Sequence, residues 1–94
     1  MDRDAYIEKA KATLDKWNAE IDKMEARTRE AQADAKLTFE AQLKEMRDQR
    51  DKAEEQLKDA REASEKAWDE MSKSFAEGLE TINEGFKRAM QSFR

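Results

Sequence analysis

From Ile7 to Ala35 the apolar and small residues fall at Ile7, Ala10, Leu14, Trp17, Ile21, Met24, Thr28, Ala31 and Ala35. The steps alternate three and four without a miss, which is the heptad signature of an α-helix burying a narrow seam. The stripe runs on through Phe39, Leu43, Met46, Arg50, Ala53, Leu57, Ala60, Ser64, Ala67 and Met71, and ends with Phe75, Leu79, Ile82, Phe86, Ala89 and Phe93. Consecutive steps of four occur at Ala35–Phe39–Leu43 and at Met71–Phe75–Leu79. Such stutters locally unwind a left-handed supercoil. From Ile7 to Phe93 there are 86 residues in 24 steps, a mean of 3.58. That lies nearer the straight-helix period of about 3.6 than the coiled-coil period of about 3.5, so weak supercoiling is expected.

Little in the chain interrupts a helix. Asp2 or Asp4 can cap one that starts near residue 3. From there to Glu77 there is neither Gly nor Pro. Acid-first pairs at i,i+4 (Glu25–Arg29, Glu40–Lys44, Asp48–Lys52, Glu54–Lys58, Glu62–Lys66, Asp69–Lys73) support the exposed face. Unbroken, residues 3–76 would form a rod of roughly 110 Å at about 1.5 Å per residue. The chain therefore divides into a long charged coiled-coil helix over 1–67 and an amphipathic helical segment over 68–94, with Gly78 and Gly85 as flexible points. Thr81 and Glu84 have capping-box spacing, which would permit a fresh helix start after Gly78.

A lone rod cannot bury this stripe; it must find a partner or fold back. Turn signals are sparse, and the candidates are Asp34 and Ser64. The expected fold class is all-α: a long amphipathic helix pairing as an antiparallel oligomer or a helical hairpin. The alternative is a three-helix bundle over about 3–34, 37–63 and 65–93. Antiparallel pairing is preferred because the stripe is richest at its two ends and thin in the middle, at Thr28, Ala31, Ala35, Arg50, Ala53, Ala60 and Ser64. In a parallel dimer Glu20 and Glu25 would oppose like charges across the seam.

Composition narrows the function classes. Of 94 residues, 45% are charged and 37% hydrophobic, so the chain is at most one small domain without a thick core. The absence of Cys excludes disulfides and thiolate metal sites, and the absence of His removes the commonest general base and transition-metal ligand. The net charge of −4 comes from 19 basic and 23 acidic residues of interspersed sign, a solvated surface rather than a polyelectrolyte tail. Such a chain is poorly suited to a phosphate backbone, and no nucleic-acid partner is expected. The longest apolar run, Ala5-Tyr6-Ile7, is too short to span a membrane. Met1-Asp2-Arg3-Asp4 has neither a signal peptide's apolar core nor a myristoylation glycine, so the expected location is cytoplasmic, with peripheral membrane association as the variant.

No residue set points to catalysis. Glu30/Asp34, Asp51/Glu55, Glu55/Asp59 and Glu77/Glu80/Glu84 are carboxylates at helical spacing, but acid–base or metal chemistry requires them inside a pocket. They read as a solvated face. Ser64, Ser72, Ser74 and Thr13 have no base to activate them. Arg27/Arg29 and Arg47/Arg50 are neutralised by nearby acids. No enzyme activity, cofactor or metal is expected.

The residues with functional content are apolar. Ile7, Leu14, Trp17, Ile21, Met24, Phe39, Leu43, Met46 and Leu57 form the expected self-association seam of a homo-oligomer. Trp68, Met71, Phe75, Leu79, Ile82, Phe86 and Phe93 form a C-terminal face that could meet a protein partner or a lipid surface. Several segments resemble small bacterial coiled-coil-domain-containing proteins of about this length and unknown function. They are Tyr6-Ile7-Glu8-Lys9, Leu14-Asp15-Lys16-Trp17-Asn18-Ala19-Glu20-Ile21-Asp22-Lys23-Met24-Glu25, Gln42-Leu43-Lys44-Glu45-Met46-Arg47 and Trp68-Asp69-Glu70-Met71. The resemblance implies a bacterial helical protein, cytosolic or peripherally membrane-associated, and carries no catalytic residue. A looser similarity is to exchangeable apolipoproteins, with their stuttered amphipathic helices. The expected function is a non-enzymatic structural or interaction protein that self-associates through its stripe. The alternative is a peripheral lipid-binding protein acting through residues 68–93.

Overall fold

Asp2 begins the first helix: its carboxylate accepts the Asp4 backbone N–H at 3.2 Å, and its carbonyl accepts that of Tyr6 at 3.1 Å. In the computed structural model, which describes residues 2–91, this helix is α1, Arg3–Glu30. It is followed by α2, Ala33–Glu62, and α3, Glu65–Gln91, with no strand among the described residues. The all-α class holds, and of the architectures compatible with the stripe the chain takes the three-helix bundle. The helices run up, down and up in a body of 52 × 17 × 17 Å.

The long helix expected over 1–67 is therefore broken, at Ala31–Gln32. Local sequence does not force the break. Ala31 (φ −73°, ψ 150°) and Gln32 (φ −70°, ψ 159°) are extended, yet neither is a helix breaker. The cause lies in packing. Around Thr28, Ala31 and Ala35 the stripe has little to bury, so a turn there sacrifices little and lets the richer stripes on either side cover each other. Asp34, a candidate for the turn, instead supplies the acidic residue of α2's first turn. The second connector, Ala63–Ser64, matches the Ser64 signal: Ser64 Oγ accepts the Ala67 N–H at 3.1 Å, and its carbonyl accepts that of Trp68 at 2.8 Å.

α2 packs closely along both neighbours, whereas α1 and α3 approach far less closely. The side chains explain the asymmetry. α2 turns small residues inward, with Ala53 and Ala60 essentially inaccessible. α1 and α3 face each other with rings: Trp17 stacks on Phe86 at 4.5 Å, and Tyr6 lies 5.5 Å from Trp68 and 5.9 Å from Phe75. These rings fill the gap between α1 and α3.

α3 runs through Gly78 and Gly85 without interruption, and both have helical rather than left-handed backbone. Thr81 starts no new helix; its hydroxyl donates to the Glu77 carbonyl one turn back at 3.1 Å. The glycines make room for α2. A Cβ on Gly85 would stand 2.9 Å from Gln49 Cδ, and one on Gly78 would collide with the Gln56 carboxamide.

Candidate interaction surfaces

The residues expected to form a seam between chains lie almost wholly inside one. Leu14, Trp17, Ile21, Met24, Leu43, Met46 and Leu57 are buried, while Ile7 and Phe39 are partly buried against that core. The C-terminal face contributes Trp68, Phe75, Leu79, Ile82 and Phe86 to the same core. Phe93 lies outside the described residues. The bulky ends of the stripe do meet, but side by side on the parallel helices α1 and α3 of one chain.

Met71 departs from its expected place, being 47% exposed. In the first turns of α3 Trp68, beside the predicted stripe position Ala67, enters the core and Met71 faces out; from Phe75 onward the buried residues are those of the predicted stripe. Leu37, at 74% exposure, is the other large apolar residue left outside among the described residues. It sits half a turn away from the α2 seam.

Polar residues at the helix junctions tie α1 to α2. Arg47 donates to Glu25 at 2.8 Å. Arg50, on a seam position, keeps its guanidinium at the edge, where it donates to Asn18 Oδ1 at 3.3 Å and to Asp51 at 3.1 and 3.2 Å. Its long stem covers apolar surface while its charge reaches water. Arg27 lies over the Phe39 ring at 6.0 Å and Arg3 over Trp68 at 5.9 Å. Tyr6 is 2% exposed and its hydroxyl makes one long hydrogen bond, 3.4 Å, to Gln56 Oε1. Burial pushes the Tyr6 phenol above its ordinary pKa. Sequence reading missed Gln49 and Gln56, because an exposed-looking glutamine has no periodic signal; only their seven-residue spacing, matching Gly78 and Gly85, relates the four.

The surface carries shallow grooves. One of about 370 Å³ follows the loosely packed α1–α3 pair, floored by Tyr6 and Leu79 and edged by Lys9, Lys73, Glu77 and Glu80. A second, between α2 and α3, runs over Gly78 and Gly85. The acidic pairs singled out above are all exposed. Among the described residues no group of carboxylates is placed to hold a metal ion, and no helix is long and apolar enough to cross a membrane. Compared with protein-family models, curated proteins and solved structures, the chain matches none.

Proposed function

We propose that this chain is a non-enzymatic structural or interaction protein, and that it self-associates by sharing with another copy the stripe that closes its own bundle. The observation that carries this reading is the use of its apolar chemistry. Large apolar residues from all three helices enter one continuous core, and the surface outside it is charged and of mixed sign. That is the design of a chain whose specificity lies in helix–helix packing. The resemblance to small bacterial coiled-coil proteins agrees with it.

The test is the absolute mass of protein held at millimolar concentration, with a matched pair of substitutions. Leu57 is 6% exposed and its neighbour Lys58 is fully outside. Leu57→Asp places an unpaired charge in the shared core and should abolish association, whereas Lys58→Asp should leave it intact. Equal association by both variants would contradict a stripe-mediated contact.

A second reading has one observation in its favour. α3 carries a face of Trp68, Phe75, Leu79, Ile82 and Phe86, and its contact with α1 is the loosest in the bundle. On a lipid surface, α3 would swing from the core and lay that face at the interface. The exchange of one apolar environment for another is roughly balanced, and the polar face has no basic excess, so binding would be weak and indifferent to lipid charge. Vesicle co-flotation with Phe75→Ser/Phe86→Ser as control decides it: no binding to small, highly curved vesicles, or equal binding by the control, removes this reading.

A further inference from the structure

We infer that two copies assemble by exchanging α1 across the Ala31–Gln32 connector, so that residues 3–62 become one continuous helix in each chain. This deepens the self-association reading above and rests on it. The partner is a second copy of this chain.

The two connectors are built differently. Ser64 caps α3 with its hydroxyl, but Gln32 makes no side-chain cap to α2. Around the first connector the sequence is Glu30-Ala31-Gln32-Ala33-Asp34-Ala35-Lys36, mostly strong helix formers, with neither Gly nor Pro. Locally the turn has one backbone bond, from the Ala31 N–H to the Thr28 carbonyl at 3.2 Å, and no side-chain cap, so it is held mainly by the packing of α1 on its own α2. An identical α2 from another copy can replace it, and exchange of this kind preserves every helix–helix contact outside the hinge.

The stripe also crosses this connector in phase. Thr28 and Phe39 are eleven residues apart, close to three full turns at about 3.6 residues each, so straightening leaves both on one face. Leu57 and Trp68 are likewise eleven residues apart across the second connector, so phase does not separate the two; the Ser64 cap, which holds the second turn, does. Straightening has a further consequence. Ala35 is exposed and Ala31 half-buried in the closed bundle. The hairpin places Arg27 against Phe39, and the same register between copies sets Ala31 of one opposite Ala35 of the other. These small side chains allow close approach of the two continuous helices at the two-fold axis. The product is a rod at least about 90 Å long, at about 1.5 Å per residue over 3–62, with a bundle of α2, α3 and the partner's α1 at each end.

Gln32→Pro tests the hinge. The native φ of −70° already suits proline, and Ala31 before it is extended, as a pre-proline residue must be. The Gln32 carbonyl that receives the Lys36 N–H at 2.8 Å is untouched. The variant therefore keeps the hairpin and forbids the continuous helix. Wild type and variant are held at millimolar concentration, warmed briefly to the unfolding midpoint, cooled, diluted and weighed by light scattering. The expected result is a species of twice 11.0 kDa in the wild type and at least a tenfold smaller fraction of it in Gln32→Pro. A second measurement reads chain connectivity. The protein has no Cys, and Glu25 touches Arg47 at 2.8 Å across the α1–α2 junction. A thiol crosslinker on Glu25→Cys/Arg47→Cys should join two chains in the dimer and only one chain in dilute protein or in the Gln32→Pro background. A dimer that survives Gln32→Pro, or that crosslinks only within chains, overturns exchange at this hinge and leaves self-association standing. A wild type that stays at 11.0 kDa throughout overturns both.

Discussion

Gln56 occupies two positions with one carboxamide: it fills the space over Gly78 and receives the Tyr6 hydroxyl. Gly78→Ala should gain about 1 kcal/mol of helix propensity, but the new methyl must displace Gln56. The expected net change is near zero in the wild type and a gain of about 1 kcal/mol in a Gln56→Ala background, read by urea denaturation as a double-mutant cycle. Equal effects in both backgrounds would show that Gln56 does not occupy that space. Tyr6 gives a second test at this scale. Its folded pKa is raised by burial, so the native state holds the phenolic proton to higher pH than the unfolded chain. Stability from this group is complete below the unfolded value of about 10 and is lost as pH rises through the folded one. Tyr6 is the sole tyrosine, so phenolate absorbance reports it directly. Tyr6→Phe should shift the alkaline unfolding midpoint upward; an unchanged midpoint would mean the phenol is not desolvated. In the core, Leu57→Asp should cost on the order of 3 kcal/mol, while Lys58→Asp should stay within about 0.5 kcal/mol.

At the scale of the elements, the two turns make opposite predictions. Ser64→Ala removes an observed cap and should cost about 1 kcal/mol, whereas Gln32→Ala removes none and should cost little. Thermal unfolding of the two variants compares them, and a cost at Gln32 as large as at Ser64 would contradict the assigned capping. The same contrast explains what was legible in the sequence. Asp2 and Ser64 are side-chain caps, and caps leave a local signature; the start near residue 3 was readable directly, and the start at 65 only in the three-helix alternative, with Ser64 as its turn signal. Ala31–Gln32 has no such signature, since the turn follows from what the flanking stripes can bury. Its trace is indirect, a thin seam at Thr28, Ala31 and Ala35 beside the stutter at Phe39. The seam from Ala10 to Met24 was legible residue by residue because burial there keeps helical phase. Just beyond Ser64 the stripe departs from that phase for two turns, where Trp68 is buried and Met71 is not, and from Phe75 to Ala89 it is again legible residue by residue. Gly78 and Gly85 read as flexible points in isolation, and only the placement of α2 against them shows what they make room for.

For the molecule as a whole, periodicity specifies that the stripe is buried and leaves open whether one chain or two cover it. A hairpin and an exchanged rod present the same contacts and differ at Ala31–Gln32, so concentration selects between them by mass action. Exchange requires the core of Trp17, Phe86, Tyr6 and Trp68 to open, which makes it slow when cold and fast near the unfolding midpoint. Small-angle scattering with absolute mass on never-concentrated protein shows whether a single copy closes its own stripe. A self-closed chain has a mass of 11.0 kDa and a radius of gyration near 15.3 Å, and that is the expected result. A dimeric mass with a longest dimension of about 90 Å or more at the lowest concentration measured would contradict it.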